Sequence, residues 1–495
     1  MNLFLLLLFI ATVFFVAYKS KGKDYFLPTS DNNMALGLSY GATLISTSAL
    51  IGFGGFAGWV GFSIPLTIII PECLLIFLAT AYIGPKVWQA NKKIKAKTYI
   101  EMIGKYYKSP MLSKLLALIT VGLMPFYCVA VLVGVGKFIT TFTGIDFTLA
   151  VIGFSLVAFG TIAYGGMTSV LKNDMVQGLI MLAGTFVVLA ITLFVHMQVP
   201  DFWANLSNAW SAVPEGDPLR RLGFTGFLSW PEFWSRGWIM IMTLLIFTIP
   251  VGLITLPQLQ TRWMMAKNEK SFRTIASWGV VILLLAFTTF CIAAITANSF
   301  TFANEGKTVI QAAGGTANIV PYWIKTGFPG WVSSALFVTV LAAAFTTLNS
   351  LMHLLSTTIS NDLIKTDKPK LSIAYASMGA IVVLALLMTV AFNGQAAIIA
   401  RATALYFGII GASMLPLIIG MVRGHTDGIN ALLSFIGGAS TSIFWVLFVH
   451  YKESKLFTGV TFDIGVYNFV EPIVPGLLIS SALYILLTKI RKNTN

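Results

Sequence analysis

Two stretches of this chain gather oxygen ligands where an apolar span would normally hold none. Residues 36–61 read LGLSYGATLISTSALIGFGGFAGWVG. Thr43, Ser46, Thr47 and Ser48 crowd its middle, and Gly52, Gly54, Gly55 and Gly58 follow at once. Residues 341–362 read LAAAFTTLNSLMHLLSTTISND. There Thr346, Ser350, His353 and Thr357 fall 4, 3 and 4 residues apart, so they share one helical face, with Thr347 and Asn349 beside it. Hydroxyl, amide and carbonyl oxygens suit a hard monovalent cation such as sodium, whereas imidazole and thiolate suit transition metals. The plainer alternative is a pair of helices packed through small residues and cross-linked by Ser and Thr.

Four ionisable residues fall inside apolar runs: Glu72 in IIIPECLL, Asp174 in YGGMTSVLKNDMVQG, His353 and Arg401. Such residues are expensive in a bilayer and are functional candidates by default. Each has an ordinary reading too. Asp174 can be a helix-start carboxylate favoured by the dipole. Arg401 can snorkel to the interface instead of holding an anionic solute. His353 can satisfy a helix interface. No HExxH and no paired nucleophile and base stand out, so an enzyme is not expected.

The elements that must position these residues are membrane helices. Of 495 residues, 57% are hydrophobic and 10% charged, against about 25% charged in soluble domains. With about 20 apolar residues per span, thirteen spans are expected: 2–18, 36–60, 63–85, 112–138, 146–165, 173–198, 236–258, 275–300, 331–360, 372–392, 396–421, 429–450 and 470–489. The net charge of +14 lies mainly in short loops. With the N-terminus outside, 23 Lys and Arg fall inside and 8 outside, which predicts an outside N-terminus and a cytoplasmic C-terminus. Cys73, Cys128 and Cys291 all lie in apolar runs, so no disulfide framework or zinc site is implied.

The second and seventh spans both carry helix breakers. In the second these are the glycines; in the seventh, TLLIFTIPVGLITLPQ, they are Pro250, Gly252 and Pro257. Unwound carbonyls and half-helix ends are where transporters place ligands and ions. Two broken helices five spans apart, in opposite topologies, fit an inverted repeat of five plus five helices, at 36–198 and 236–421.

With these stretches placed, the chain resembles the sodium/solute symporter family, and within it the proline and pantothenate symporters. The matching pieces are DYFLPTSDNNMALGLSYGATLIS, FYCVAVLVGVGKF, YGGMTSVLKNDMVQGLIML, LPQLQTRWMMAKNEK and LAAAFTTLNS…TTISND, in that order along nearly the whole chain. The resemblance implies an all-α polytopic membrane protein with a leucine-transporter-like five-plus-five inverted repeat, one leading helix at 2–18 and two trailing helices at 429–489. It implies a main sodium site made of carbonyls of Ala42, Ile45 and Ala343 and hydroxyls of Thr346 and Thr347. In some members a second sodium lies near the sixth span; its counterparts here are Asp174, Asn349 and Ser350. Candidate solute contacts are Ser46, Ser48, Gly52, Glu72, Tyr127, Gly252, Leu253 and Arg401. Tyr127 matches the proline symporters, but Leu44 stands where they carry an aspartate, and Ile249 and Leu253 where they carry aromatics. The expected protein is a monomeric, sodium-driven importer of a small organic solute in a bacterial-type plasma membrane, touching lipid and no nucleic acid. Two other readings stay open: a proton-coupled carrier using Glu72, and a membrane sensor that binds solute without moving it.

Overall fold

A computed structural model describes residues 1–21, 24–364, 371–391 and 396–494, without the side chains of Ser48, Lys452, residues 396–402, residue 404 or residues 491–494. The described chain is nearly all helical; its one β-feature is an isolated bridge between Ser30 and Ala266. The helices that matter for the site are α1 (Asn2–Tyr18), α2 (Asn33–Leu44), α3 (Gly54–Val60), α4 (Ser63–Leu78), α5 (Pro110–Thr143) and α6 (Phe147–Phe194). After a connecting region come α7 (Ile249–Thr255), α8 (Pro257–Met264), α9 (Ser271–Glu305) and α10 (Gly330–Thr357). Then follow α11 (Leu371–Ala391), α12 (Ala396–Val422), α13 (Gly428–Phe448) and α14 (Ile473–Thr494).

Local sequence explains the helix starts. Asn32 caps α2 through Ala35 N–H at 3.0 Å, and Asp146 caps α6 through Thr148 N–H at 2.8 Å. Ser109, followed by Pro110, opens α5. Such caps satisfy N–H groups that a helix start leaves orphaned.

By length and apolarity, ten described helices can cross a membrane, or eleven if the bent pair Asn33–Leu44 and Ala49–Val60 is one span. The expected count of thirteen is therefore not reached on this criterion, and two causes are visible. Asn2–Tyr18 is only 17 residues long. The expected fifth and sixth spans run together in α6, which is interrupted by Gly166 at φ 54° and ψ −146°. That positive φ suits glycine, and a Cβ there would lie 2.5 Å from Tyr25 Cα. The freed Met167 N–H bonds Tyr25 O at 2.9 Å.

The two expected breaks turn out differently. The second span breaks where its hydroxyls are: α2 ends at Leu44, Ile45 is extended (φ −101°, ψ 108°), and the chain re-enters a helix bent by 50°. The seventh does not break at Pro250. A π-helical stretch at Thr243–Thr248 precedes that proline and accommodates its missing N–H. The chain opens instead at Leu256 (ψ 127°), just before Pro257.

α10 is the central element, packed on α5, α6 and α2, while α9 lies along α2 and α3. Close approach of the second span to its surroundings depends on glycine. A Cβ on Gly55 would fall 2.1 Å from Thr316 O, a backbone atom that no rotamer change can move. Gly55→Ala is therefore expected to lower thermal stability by about 2 kcal/mol, within the range for overpacking, read from the melting point of purified protein. An unchanged melting point would mean that this loop yields.

Candidate functional site

The break in the second span leaves the last carbonyls of α2 without intrahelical partners. α10 answers them. Thr346 Oγ bonds Ala42 O at 3.1 Å and Ala343 O at 3.1 Å, and Thr347 Oγ reaches Ile45 O at 3.4 Å. Thus Ala42, Ile45, Ala343, Thr346 and Thr347 meet in one place, bridging helices about 300 residues apart in sequence. Ala42, Ile45, Ala343 and Thr346 are fully buried and Thr347 nearly so. For a cation–oxygen distance of about 2.4 Å, neighbouring ligand oxygens sit roughly 3.4 Å apart. The three oxygen contacts observed here, at 3.1, 3.1 and 3.4 Å, are of about that size. All five donors are neutral hard oxygens, which favours a monovalent cation over a transition metal.

Ser46 has a different local duty. Its Oγ accepts Ala49 N–H at 2.9 Å, which caps the second half of the broken span. Gly52 faces open space, with nothing within 4 Å of where a Cβ would be. Tyr127 of α5 meets Phe407 of α12 edge-on at 5.5 Å. Phe407 also seals Gly252 of α7, where a Cβ would lie 2.6 Å from its ring. Leu253 is buried next to Gly252. Phe407 carries no signal in the sequence beyond its type. Glu72 is 3% exposed in α4, beside Pro71, and among the described residues its carboxylate has no hydrogen bond or ion pair. The side chains of Ser48 and Arg401 lie outside the described residues.

A second buried polar group surrounds Asp174. Its Oδ2 receives Arg262 Nη2 at 2.7 Å, Ser39 Oγ at 2.8 Å and Thr43 Oγ at 3.3 Å. The same Nη2 donates to Ser350 Oγ at 2.6 Å, and Nη1 to Gln258 O at 2.7 Å. Asp174 is 0% and Arg262 1% exposed. Two of the three residues expected around a second sodium, Asp174 and Ser350, are therefore brought together by an arginine. Asn349 is buried with no partner for either side-chain atom among the described residues. In the sequence Arg262 stands just after the seventh apolar run, among the basic loop residues that set topology. His353 Nε2 meets Tyr25 O at 2.7 Å, so it ties the segment after α1 to α10.

Comparison with known proteins supplies the context. The family model described as the sodium:solute symporter family matches residues 25–438. The chain is 24% identical over 491 residues to a sodium/pantothenate symporter of Escherichia coli, covering 96% of this chain and 93% of that one. It is 26% identical over 452 residues to the uncharacterized symporter YwcA of Bacillus subtilis, covering 85% and 81%. Its fold is similar to that of a sodium-coupled sialic acid symporter in a substrate-bound outward-open state, with TM-score 0.71, 16% identity and 98% of both chains covered.

Proposed function

Because the chain belongs to the sodium:solute symporter family, we propose that Ala42, Ile45, Ala343, Thr346 and Thr347 bind the coupling sodium of a secondary active importer. Sodium-coupled symport of a small solute across a membrane is the activity its family and relatives support. One observation carries the site assignment: hydroxyls of α10 already reach the orphaned carbonyls of α2. Sodium bound between those hydroxyl and carbonyl oxygens, with the hydroxyl protons turned away from the carbonyls, ties the two helices together and favours the outward-open state. Solute then binds beside them, and loss of sodium to the cytoplasm releases the grip. Coupling follows if sodium binds one state better than the other. The membrane potential adds about 2.3 kcal/mol per charge per 100 mV.

In this reading the repeats at 36–198 and 236–421 rock against each other, with 2–18 leading and 429–489 trailing. The protein works as a monomer in the plasma membrane, N-terminus outside and C-terminus cytoplasmic. Asp174, Asn349 and Ser350 remain the candidate second sodium site, but the Arg262 guanidinium supplies a cation there. The transport cycle therefore uses one sodium.

The solute is a carboxylate or amino acid, contacting Ser46, Ser48, Gly52, Glu72, Tyr127, Gly252, Leu253 and Arg401. Two relatives are named for acids, pantothenate and sialic acid, and Arg401 carries a guanidinium that matches carboxylate with paired hydrogen bonds. Uptake into proteoliposomes with and without a sodium gradient tests the coupling. A proton gradient sufficing alone would favour the proton carrier; binding without uptake would favour the sensor. Melting-point screens in sodium against monocarboxylates, amino acids, pantothenate and sugars test the solute class. A ligand at 100 times its Kd is expected to add about 2.7 kcal/mol. If neutral sugars alone shift the melting point, the carboxylate assignment fails.

Glu72 has a separate test. A buried carboxylate without a partner is costly, and on that ground we assign Glu72 a part in the cycle. Glu72→Gln keeps shape and cannot ionise, and slower uptake or an altered pH profile is expected. Wild-type rates from about pH 5.5 to 8 would make Glu72 structural.

A further inference from the structure

One cavity on the protein has no part in the sodium site. It has a volume of about 630 Å³ and opens between the segment after α1, the loop after the third span and the end of α8. By the lysine bias this is the cytoplasmic face. Its lining holds four lysines, Lys92, Lys95, Lys97 and Lys267, against one carboxylate, Asp24. Lys267 is paired with Asp31 at 2.8 Å, outside the lining. Asp24 spends an oxygen on the N–H groups of Phe26 and Leu27, at 2.9 and 3.3 Å. Among the described residues, Lys92, Lys95 and Lys97 form no ion pair.

These three ammonium groups are not free surface charges alone. Lys92 Nζ sits over the Trp88 ring at 4.9 Å and Lys97 Nζ over Phe26 at 5.9 Å. Trp88 is itself fixed by a 2.6 Å bond from Nε1 to Ala266 O. Lys95 closes the helix Gly84–Ile94 at φ 55°, a left-handed position that favours Gly or Asn. Asn91 Oδ1 holds Ala96 N–H at 3.1 Å, which leaves its amide nitrogen as a further donor on the lining. Lysines that only set topology need neither a concave wall nor a missing counter-charge. Three unpaired cations around one concavity are complementary to a multiply charged anion with several acceptor oxygens.

We propose that this cavity binds a phosphate-bearing anion, either the headgroup of an anionic phospholipid or a soluble phosphate. The proposal does not depend on sodium coupling. The full-length protein is purified in neutral detergent and examined by native mass spectrometry. Dioctanoyl phosphatidylglycerol and dioctanoyl phosphatidylcholine form one arm; inorganic phosphate and pyrophosphate form the other. Wild type is expected to bind phosphatidylglycerol over phosphatidylcholine, or to bind phosphate and pyrophosphate; the arm that binds names the source. Each lysine near an anionic surface is worth roughly five-fold in affinity. The triple variant Lys92→Ala, Lys95→Ala, Lys97→Ala is therefore expected to bind on the order of a hundred-fold more weakly. The control Lys86→Ala, Lys114→Ala, which lies off the lining, is expected to bind as wild type. Monodispersity and an unchanged melting point show that each variant is folded; should the triple variant misfold, the three single Lys→Ala variants are measured instead. No binding in either arm, or equal binding by wild type and the lysine variants, overturns the proposal.

Discussion

Thr346→Ala is expected to weaken apparent sodium affinity by about ten-fold, or ~1.4 kcal/mol, with the protein still folded and in the membrane. The loss is large because the substitution removes one of five neutral donors without changing charge or leaving a buried unpaired ion. Thr346 also makes the shorter contact between the two helices, to Ala42 O at 3.1 Å, beside one to Ala343 O of its own helix at 3.1 Å. Thr347→Ala removes the longer contact to Ile45 O, 3.4 Å away, and is expected to cost less. Thr346→Ser keeps the oxygen and is expected to restore most of the affinity. The measurement is solute uptake as a function of external sodium in proteoliposomes, beside sodium-dependent thermal stabilisation in detergent. Sodium dependence unchanged in both alanine variants would remove these residues from the ion site.

The second large effect concerns Arg262. Arg262→Met leaves the Asp174 carboxylate without its counter-charge at 0% exposure, held only by the Ser39 and Thr43 hydroxyls, and breaking a buried pair costs about 3–5 kcal/mol. Asp174→Asn strands the guanidinium and is expected to cost about as much. The double variant Asp174→Asn, Arg262→Met removes both charges, so it is expected to be more stable than either single one. This non-additivity belongs to residues in direct contact, here at 2.7 Å. Melting points of the four proteins measure it. The same variants decide the ion count. If Arg262 supplies the cation at Asp174, uptake by wild type shows a sodium Hill coefficient near one. A coefficient near two that falls in Asp174→Asn would instead put a sodium beside that carboxylate. Purely additive melting shifts would mean that the pair is not coupled.

The structure made both tests possible in different ways. The hydroxyl face of α10 and the unwinding of the second span were legible in the sequence, because each follows from local rules. A spacing of 4, 3 and 4 fixes a helical face, and hydroxyls crowded ahead of a run of glycines in an apolar span invite a break. Resemblance to a family then supplied Ala42, Ile45 and Ala343, whose carbonyls leave no mark on residue type.

Arg262 was not legible in the same way. It stands just after an apolar run, where a basic residue normally marks topology. Nothing local distinguishes it from Lys267 or Arg273. It became a site residue only because α8 turns at Leu256–Pro257 and carries the guanidinium inward to Asp174 and Ser350, each 88 residues away. Phe407 is similar. It is one aromatic among 38 phenylalanines until α12 sets it against Gly252 and Tyr127.

A helical membrane protein, the positions of its apolar runs, the break in the second span and the hydroxyl face of another helix all follow from residue order alone, whereas the break expected at Pro250 in the seventh span does not form. These properties depend on the cost of polar backbone in hydrocarbon and on a period of 3.6 residues, both of which act over one or two turns. Tertiary structure decided which carbonyls meet which hydroxyls, that Pro250 is absorbed by a π-helical turn, and that Asp174 has an arginine for its partner. Those outcomes depend on how helices cross, and a pairing between distant residues leaves no periodic trace in either of the segments it joins.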